Sequence, residues 1–101
     1  MTMLHTVNKS PFDNGTLRCC LKFARQGSAV LLIEDGIYAA VRDTAVSKLV
    51  QEAMKIVSIY ALQPDLEARG MQHRVMDGIR LVDYGGFVDL AVEHDTVQSW
   101  L

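Results

Sequence analysis

Strand-like and helix-like segments alternate along this 101-residue sequence, which predicts an α/β fold: a compact, open, mostly parallel sheet of four to five strands with helices on both faces. Two further observations support that class. The run AVLLI at 29–33 is apolar at every position, as a strand covered on both sides must be. The helix-like segments are also short, which suits a small doubly wound fold with little room for an active-site lid.

The elements follow in order. MLHTV at 3–7 mixes apolar and polar residues, ends in the β-branched Thr6 and Val7 and reads as a strand, stopping at NKSP, where Pro11 and small polar residues mark a loop. Between about Asn14 and Arg25, Leu17, Cys20, Leu21 and Ala24 recur at the spacing of an amphipathic helix, with Gly27 as its C-terminal cap. AVLLI is the second strand, and EDG breaks it. IYAAV and then TAVSKLVQEAM (44–54) form a second helical region, with Ala45, Leu49 and Ala53 facing inward. KIVSIYAL (55–62) is the third strand. QPDLEARG (63–70) is a short helix with Pro64 in its first turn and Gly70 past its end. IRLVDY (79–84) is a fourth strand, and GGFVDLAVEH (85–94) a last helix burying Phe87, Leu90 and Ala91. The tail DTVQSWL either adds a short strand or lies against the body.

Length and composition predict one domain, 1–101, without repeats or linkers. Half of the residues are apolar and 22% are charged, a globular balance. A formal charge of −2, with Lys and Arg scattered singly, argues against direct nucleic-acid binding. No apolar run approaches the roughly 20 residues needed to span a bilayer. The first residues lack a secretory signal pattern, so the expected location is cytoplasmic. Cys19 and Cys20 are then reduced thiols rather than a scaffold, and a bridge between such neighbours in a helix would be strained.

Candidate chemistry lies at the carboxyl ends of the strands: Asn8 to Ser10, Glu34 to Gly36, Leu62 and Gln63, and Asp83 to Gly86. No G-x-G-x-x-G turn or Walker-type loop follows the first strand. An acidic aspartyl-phosphate site is absent there too, since Asn8 and Lys9 stand in its place. Asp35–Gly36 suits a turn better than a catalytic carboxylate. His5, His73 and His94 are widely spaced and form no metal-ligand pattern with the cysteines, so neither metal nor cofactor is expected. His5, inside a strand, reads as a core or interface histidine with a hydrogen-bond partner. The YGG stretch could offer backbone N–H groups to an anion, but a turn with Asp83 as helix cap is the simpler reading. Cys20 shares a stripe with Leu17, Leu21 and Ala24, whereas Cys19 points to the helix flank. Cys20 is therefore either a small buried hydrophobe or a thiol activated by the helix dipole with Arg18 and Lys22 nearby.

Several segments together resemble the TusB/DsrH family of sulfur-relay proteins: MLHTVNKSPF, LLIEDGIYAAV at 31–41, YALQPDLEARG at 60–70 and VDYGGFVDLAVEHDTVQSW at 82–100. The likeness covers nearly the whole chain in order, and it is closest to DsrH, whose branch carries a cysteine where Cys20 stands. The resemblance implies a small DsrEFH-like, Rossmann- or flavodoxin-like subunit. It would assemble with a DsrE/TusD-like and a DsrF/TusC-like subunit into a heterohexamer with two copies of each. That complex relays persulfide sulfur between cysteines and hands it to a DsrC/TusE-like acceptor, in sulfur oxidation or in 2-thiolation of the tRNA wobble uridine. The principal carrier cysteine belongs to the DsrE/TusD subunit, so Cys20 is a candidate secondary persulfide carrier and no role transfers to Cys19. Little activity is expected of the chain alone. Glu34, Asp35 and Gly36 at a strand end, and Trp100 in an apolar terminus, are interface candidates.

Three readings compete: an accessory subunit of the relay, an obligatory carrier through Cys20, and a stand-alone flavodoxin-like ligand binder. Burial of Cys20 would favour the first over the second, and the missing phosphate loops count against the third.

Overall fold

The computed structural model describes residues 2–101; Met1, where the expected domain begins, lies outside them. Five strands, β1 (Met3–Val7), β2 (Ala29–Leu32), β3 (Ser58–Leu62), β4 (Arg80–Val82) and β5 (Thr96–Trp100), form one all-parallel sheet in the order β4-β3-β2-β1-β5. The helices are α1 (Thr16–Phe23), α2 (Ser47–Ala53), α3 (Gln63–Ala68) and α4 (Tyr84–Glu93), with a 3-10 segment, Glu34–Ala40, after β2.

Chain order and strand order together place the helices. From β1 to β4 each connection steps the same way, so right-handed crossovers set α1, the 3-10 segment, α2 and α3 on one face. The step from β4 back to β5 runs the other way and sets α4 on the opposite face. Two buried clusters match this arrangement. The larger joins Val7, Val30, Leu32, Ile59 and Ala61 of the sheet to Leu17, Cys20, Ile37, Val50 and Leu66. The smaller joins Leu4, Ala29 and Leu31 to Leu90, with Phe87, Ala91, Tyr60 and Val82 packed around them. Strand alternation explains the split, because Leu4 and Val7 point to opposite faces of β1.

Some boundaries differ from the sequence expectation. EDG ends β2 as expected, and it does so by opening the 3-10 segment at Glu34, whose positive φ of 49° turns the backbone directly out of the strand. In the second helical region Val46 and Val50 face the core, while Ala45 is exposed and Leu49 half-buried. Both stripes had helical spacing, and the one with two valines buries more apolar surface. β3 begins at Ser58 rather than 55, since Val57 N–H still donates to the Ala53 carbonyl (3.0 Å) in the exit from α2. α1 ends at Phe23, so Gly27, at φ +90°, serves the turn into β2 rather than the helix cap. The expected Pro and Gly punctuation of α3 holds: Pro64 lies in its first turn, and Gly70, at φ +67°, follows its end. The tail is an edge strand, with Trp100 opposite Val7.

Candidate functional site: two thiols and a cleft beside the last strand

α1 decides the fate of both cysteines. Its inner stripe buries Leu17 and Cys20, and Leu21 and Ala24 pack on the same core. Cys20 is fully buried, and loss of water around the sulfur pushes its thiol up to about 12. Arg18 and Lys22 lie on the exposed side of the helix, so the activation they could have supplied does not reach it. The thiolate is the nucleophile in sulfur exchange. At neutral pH Cys20 therefore keeps its proton. Cys19, one residue earlier, is exposed.

A cleft opens where the sheet outruns its helices. Among the described residues, the end of α1 packs against the inner face of β5. The space between is lined by Met3 and His5 of β1, Gln98 and Trp100 of β5, and Phe23, Arg25 and Ser28. It has two adjoining lobes of about 430 and 380 Å³. Trp100 Nε1–H donates to His5 Nδ1 (3.0 Å), and the indole stacks on Phe23 with ring centroids 5.9 Å apart. His5 is 3% exposed, and burial lowers its pKa, which favours the neutral ring. The tryptophan bond points the same way, because only an unprotonated Nδ1 can accept it. The histidine thus has the partner the sequence called for, supplied by the last strand.

The strand-end candidates Glu34, Asp35 and Gly36 are brought together with α3. Asp65 Oδ2 accepts from Glu34 N–H (2.6 Å), and Arg69 Nε–H donates to Asp35 Oδ1 (3.0 Å). Glu34 and Asp35 are exposed, whereas Gly36 is buried against the end of β1 and presents nothing outward. Trp100, about 65 positions away in sequence, lies across the sheet in β5, beyond β1. At the fourth strand end, Asp83 Oδ1 accepts from Gly86 N–H (2.8 Å) and caps α4, as expected. Among the described residues no group of three His, Cys, Asp or Glu side chains could hold a metal ion. No described helix is long and apolar enough to cross a membrane.

The cleft was not legible in the sequence, although its parts were. His5 and Trp100 meet only because β5 pairs with β1, and only the pairing register reveals that contact.

Fold and site together define a small parallel α/β protein with one thiol sealed in its core, one exposed, and no assembled catalytic constellation among the described residues. The comparisons specify which. A family model described as DsrH-like protein matches residues 9–97. Protein TusB of Pectobacterium parmentieri is 37% identical over 99 residues, covering 97% of this chain and all of that one. Protein TusB of Escherichia coli K12 is 35% identical over 98 residues, with the same coverage. The chain belongs to the TusB/DsrH family of sulfur-relay proteins. Among solved structures, the ychN protein from E. coli superposes with a TM-score of 0.82 at 14% identity, over 98% of both chains. A protein of unknown function from Methanobacterium thermoautotrophicum gives 0.78 at 18%, covering 96% of this chain and 97% of that one. At those identities they establish the fold alone.

Proposed function

We propose that the chain is an accessory subunit of a cytoplasmic sulfurtransferase complex of the TusBCD/DsrEFH type. It organises the relay without carrying sulfur itself. Family membership supplies the sulfur-relay context, and the TusB relatives favour service in 2-thiolation of the tRNA wobble uridine over sulfur oxidation. Its partners would be TusD-like and TusC-like subunits, two copies of each with two of this chain, passing sulfur to a TusE-like acceptor.

The observation that carries the reading is the burial of Cys20. Transfer requires a thiolate to attack the outer sulfur of a donor persulfide. The donor's S–S bond breaks, the donor leaves as a thiolate, and the receiving cysteine becomes the persulfide. A sulfur with no solvent access and a thiol held near 12 is suited to packing rather than to that attack.

The test pairs labelling with mass spectrometry. In the native chain Cys19 reacts with an alkylating agent promptly, and Cys20 reacts only on unfolding. In the complex loaded with sulfur, adducts sit on a partner and not on this chain. A persulfide on this chain that disappears in Cys20→Ser would instead make it an obligatory carrier.

A further inference from the structure

α4 is amphipathic in an unusual sense, because its outward arc is also largely apolar. Phe87, Leu90 and Ala91 pack on the sheet. Tyr84, Val88 and Val92, at i, i+4 and i+8, are 62%, 61% and 79% exposed. At about 100° per residue these three form a continuous stripe on one side of the outward arc, and Asp89 and Glu93 form a parallel ridge on the other. Single exposed apolar residues are ordinary, but three in register along one helix form a patch of the kind that marks an interaction surface.

The charge around the stripe says what can cover it. From residue 83 to the end the chain has four acids, Asp83, Asp89, Glu93 and Asp95, and no Lys or Arg. Asp83 is occupied in capping α4, and Asp95 Oδ2 accepts from Thr2 N–H (2.9 Å). Asp89 and Glu93 make no ion pair among the described residues, so their charge is free to meet a partner. An anionic lipid surface or a nucleic acid would be repelled. A second copy of this chain fits poorly as well: an antiparallel two-fold pairing of α4 with itself sets the two acidic ridges side by side.

We infer that the outer face of α4 docks a partner subunit of the sulfur relay through an apolar surface flanked by Lys or Arg. Tyr84, Val88 and Val92 form the buried centre of the contact, and Asp89 and Glu93 its charged rim. This rests on the accessory-subunit reading and adds where the partner sits and what chemistry it presents.

The experiment co-expresses the tagged chain with its TusC-like and TusD-like partners, captures it and weighs the products by native mass spectrometry. Val88→Asp with Val92→Asp should lower recovery of at least one partner by roughly tenfold or more, as expected for the centre of an interface. Asp89→Lys with Glu93→Lys should give a smaller loss and weaken the salt dependence of capture. All four residues are exposed, so both variants keep the wild-type circular dichroism and melting temperature, which separates lost docking from lost folding. Full partner recovery by a folded Val88→Asp, Val92→Asp variant overturns the docking face while leaving the complex intact. A wild-type homodimer broken by that variant overturns the choice of occupant. A wild-type chain recovered alone overturns both the complex and the docking assignment.

Discussion

The two faces of the sheet are built to different standards. Among the described residues, the three-helix face holds a cluster of fourteen buried apolar residues, and the α4 face a cluster of four. On the first, helices exchange contacts with each other as well as with the sheet, and Met76 and Val57 from connecting segments complete the seal. On the second, one helix lies across the strands with Tyr84, Val88 and Val92 left in solvent. Stability is thus concentrated on one side of the molecule. The other side is only as finished as a surface needs to be if a neighbour completes it, which is the division of labour expected of a subunit.

The sharpest way to break the three-helix face is at Gly36. It sits where the chain leaves β2 beneath the end of β1: Ile33 N–H donates to the Val7 carbonyl (3.0 Å), and Gly36 N–H to the Ile33 carbonyl (2.8 Å). A Cβ at this position would fall inside contact distance of the Val7 carbonyl oxygen, which is backbone and cannot rotate away. Gly36→Ala should therefore cost more than about 3 kcal/mol, enough to leave much of a marginally stable domain unfolded, as read by urea denaturation. A wild-type midpoint would show that the β1–β2 junction is looser than the packing implies.

A paired truncation sharpens the comparison. Leu66→Ala, from a fully buried side chain of α3, should cost about 3–4 kcal/mol, and Leu90→Ala, from the thinner α4 layer, about 2. Partners should raise the stability of both variants, because a subunit docked on α4 binds only the folded chain, and the gain should be smaller for Leu90→Ala, which loosens the helix that the partner grips. Equal costs and equal rescue would mean that the two faces do not differ in the way their burial suggests.

Most of this fold was legible in the sequence because the relevant signals are local. The all-apolar AVLLI run, the α1 stripe and the Pro64 and Gly70 punctuation each follow from a few neighbouring residues. What was hidden depended on choices between similar local options or on distant pairing. Val46 and Val50 prevailed over Ala45 and Leu49 because the sheet rewards the larger buried area. Whether the tail formed a strand depended on whether β1 had a free edge, and the His5–Trp100 contact depended on that in turn. The α4 stripe could have been read: Tyr84, Val88 and Val92 are spaced as helical neighbours, but the inward set, Phe87, Leu90 and Ala91, accounts for the helix without them. The site was half legible, since helical spacing separated Cys20 from Cys19 but could not decide between an inert core thiol and an activated one.

That choice is open to a measurement on the isolated chain. At neutral pH Cys20→Ala should be the mildest of these changes, costing about 1 kcal/mol for one buried sulfur. Its signature lies in alkali. Below the ordinary thiol value of 9.0 the proton is held in the folded and unfolded chain alike, and the contribution to stability is fully present. Between 9.0 and about 12 the unfolded chain gives the proton up while the folded chain keeps it, so wild-type stability falls as pH rises, by up to about 4 kcal/mol across the window. Cys20→Ala lacks this loss, although every other titrating group is shared. The two stability profiles should therefore cross, with the alanine variant less stable at pH 7 and more stable near pH 11. Parallel profiles would mean that the folded chain ionises Cys20 as readily as the unfolded one. A thiol that ionises freely within the fold would supply the thiolate that attack on a donor persulfide needs, and the case for Cys20 as a carrier would reopen.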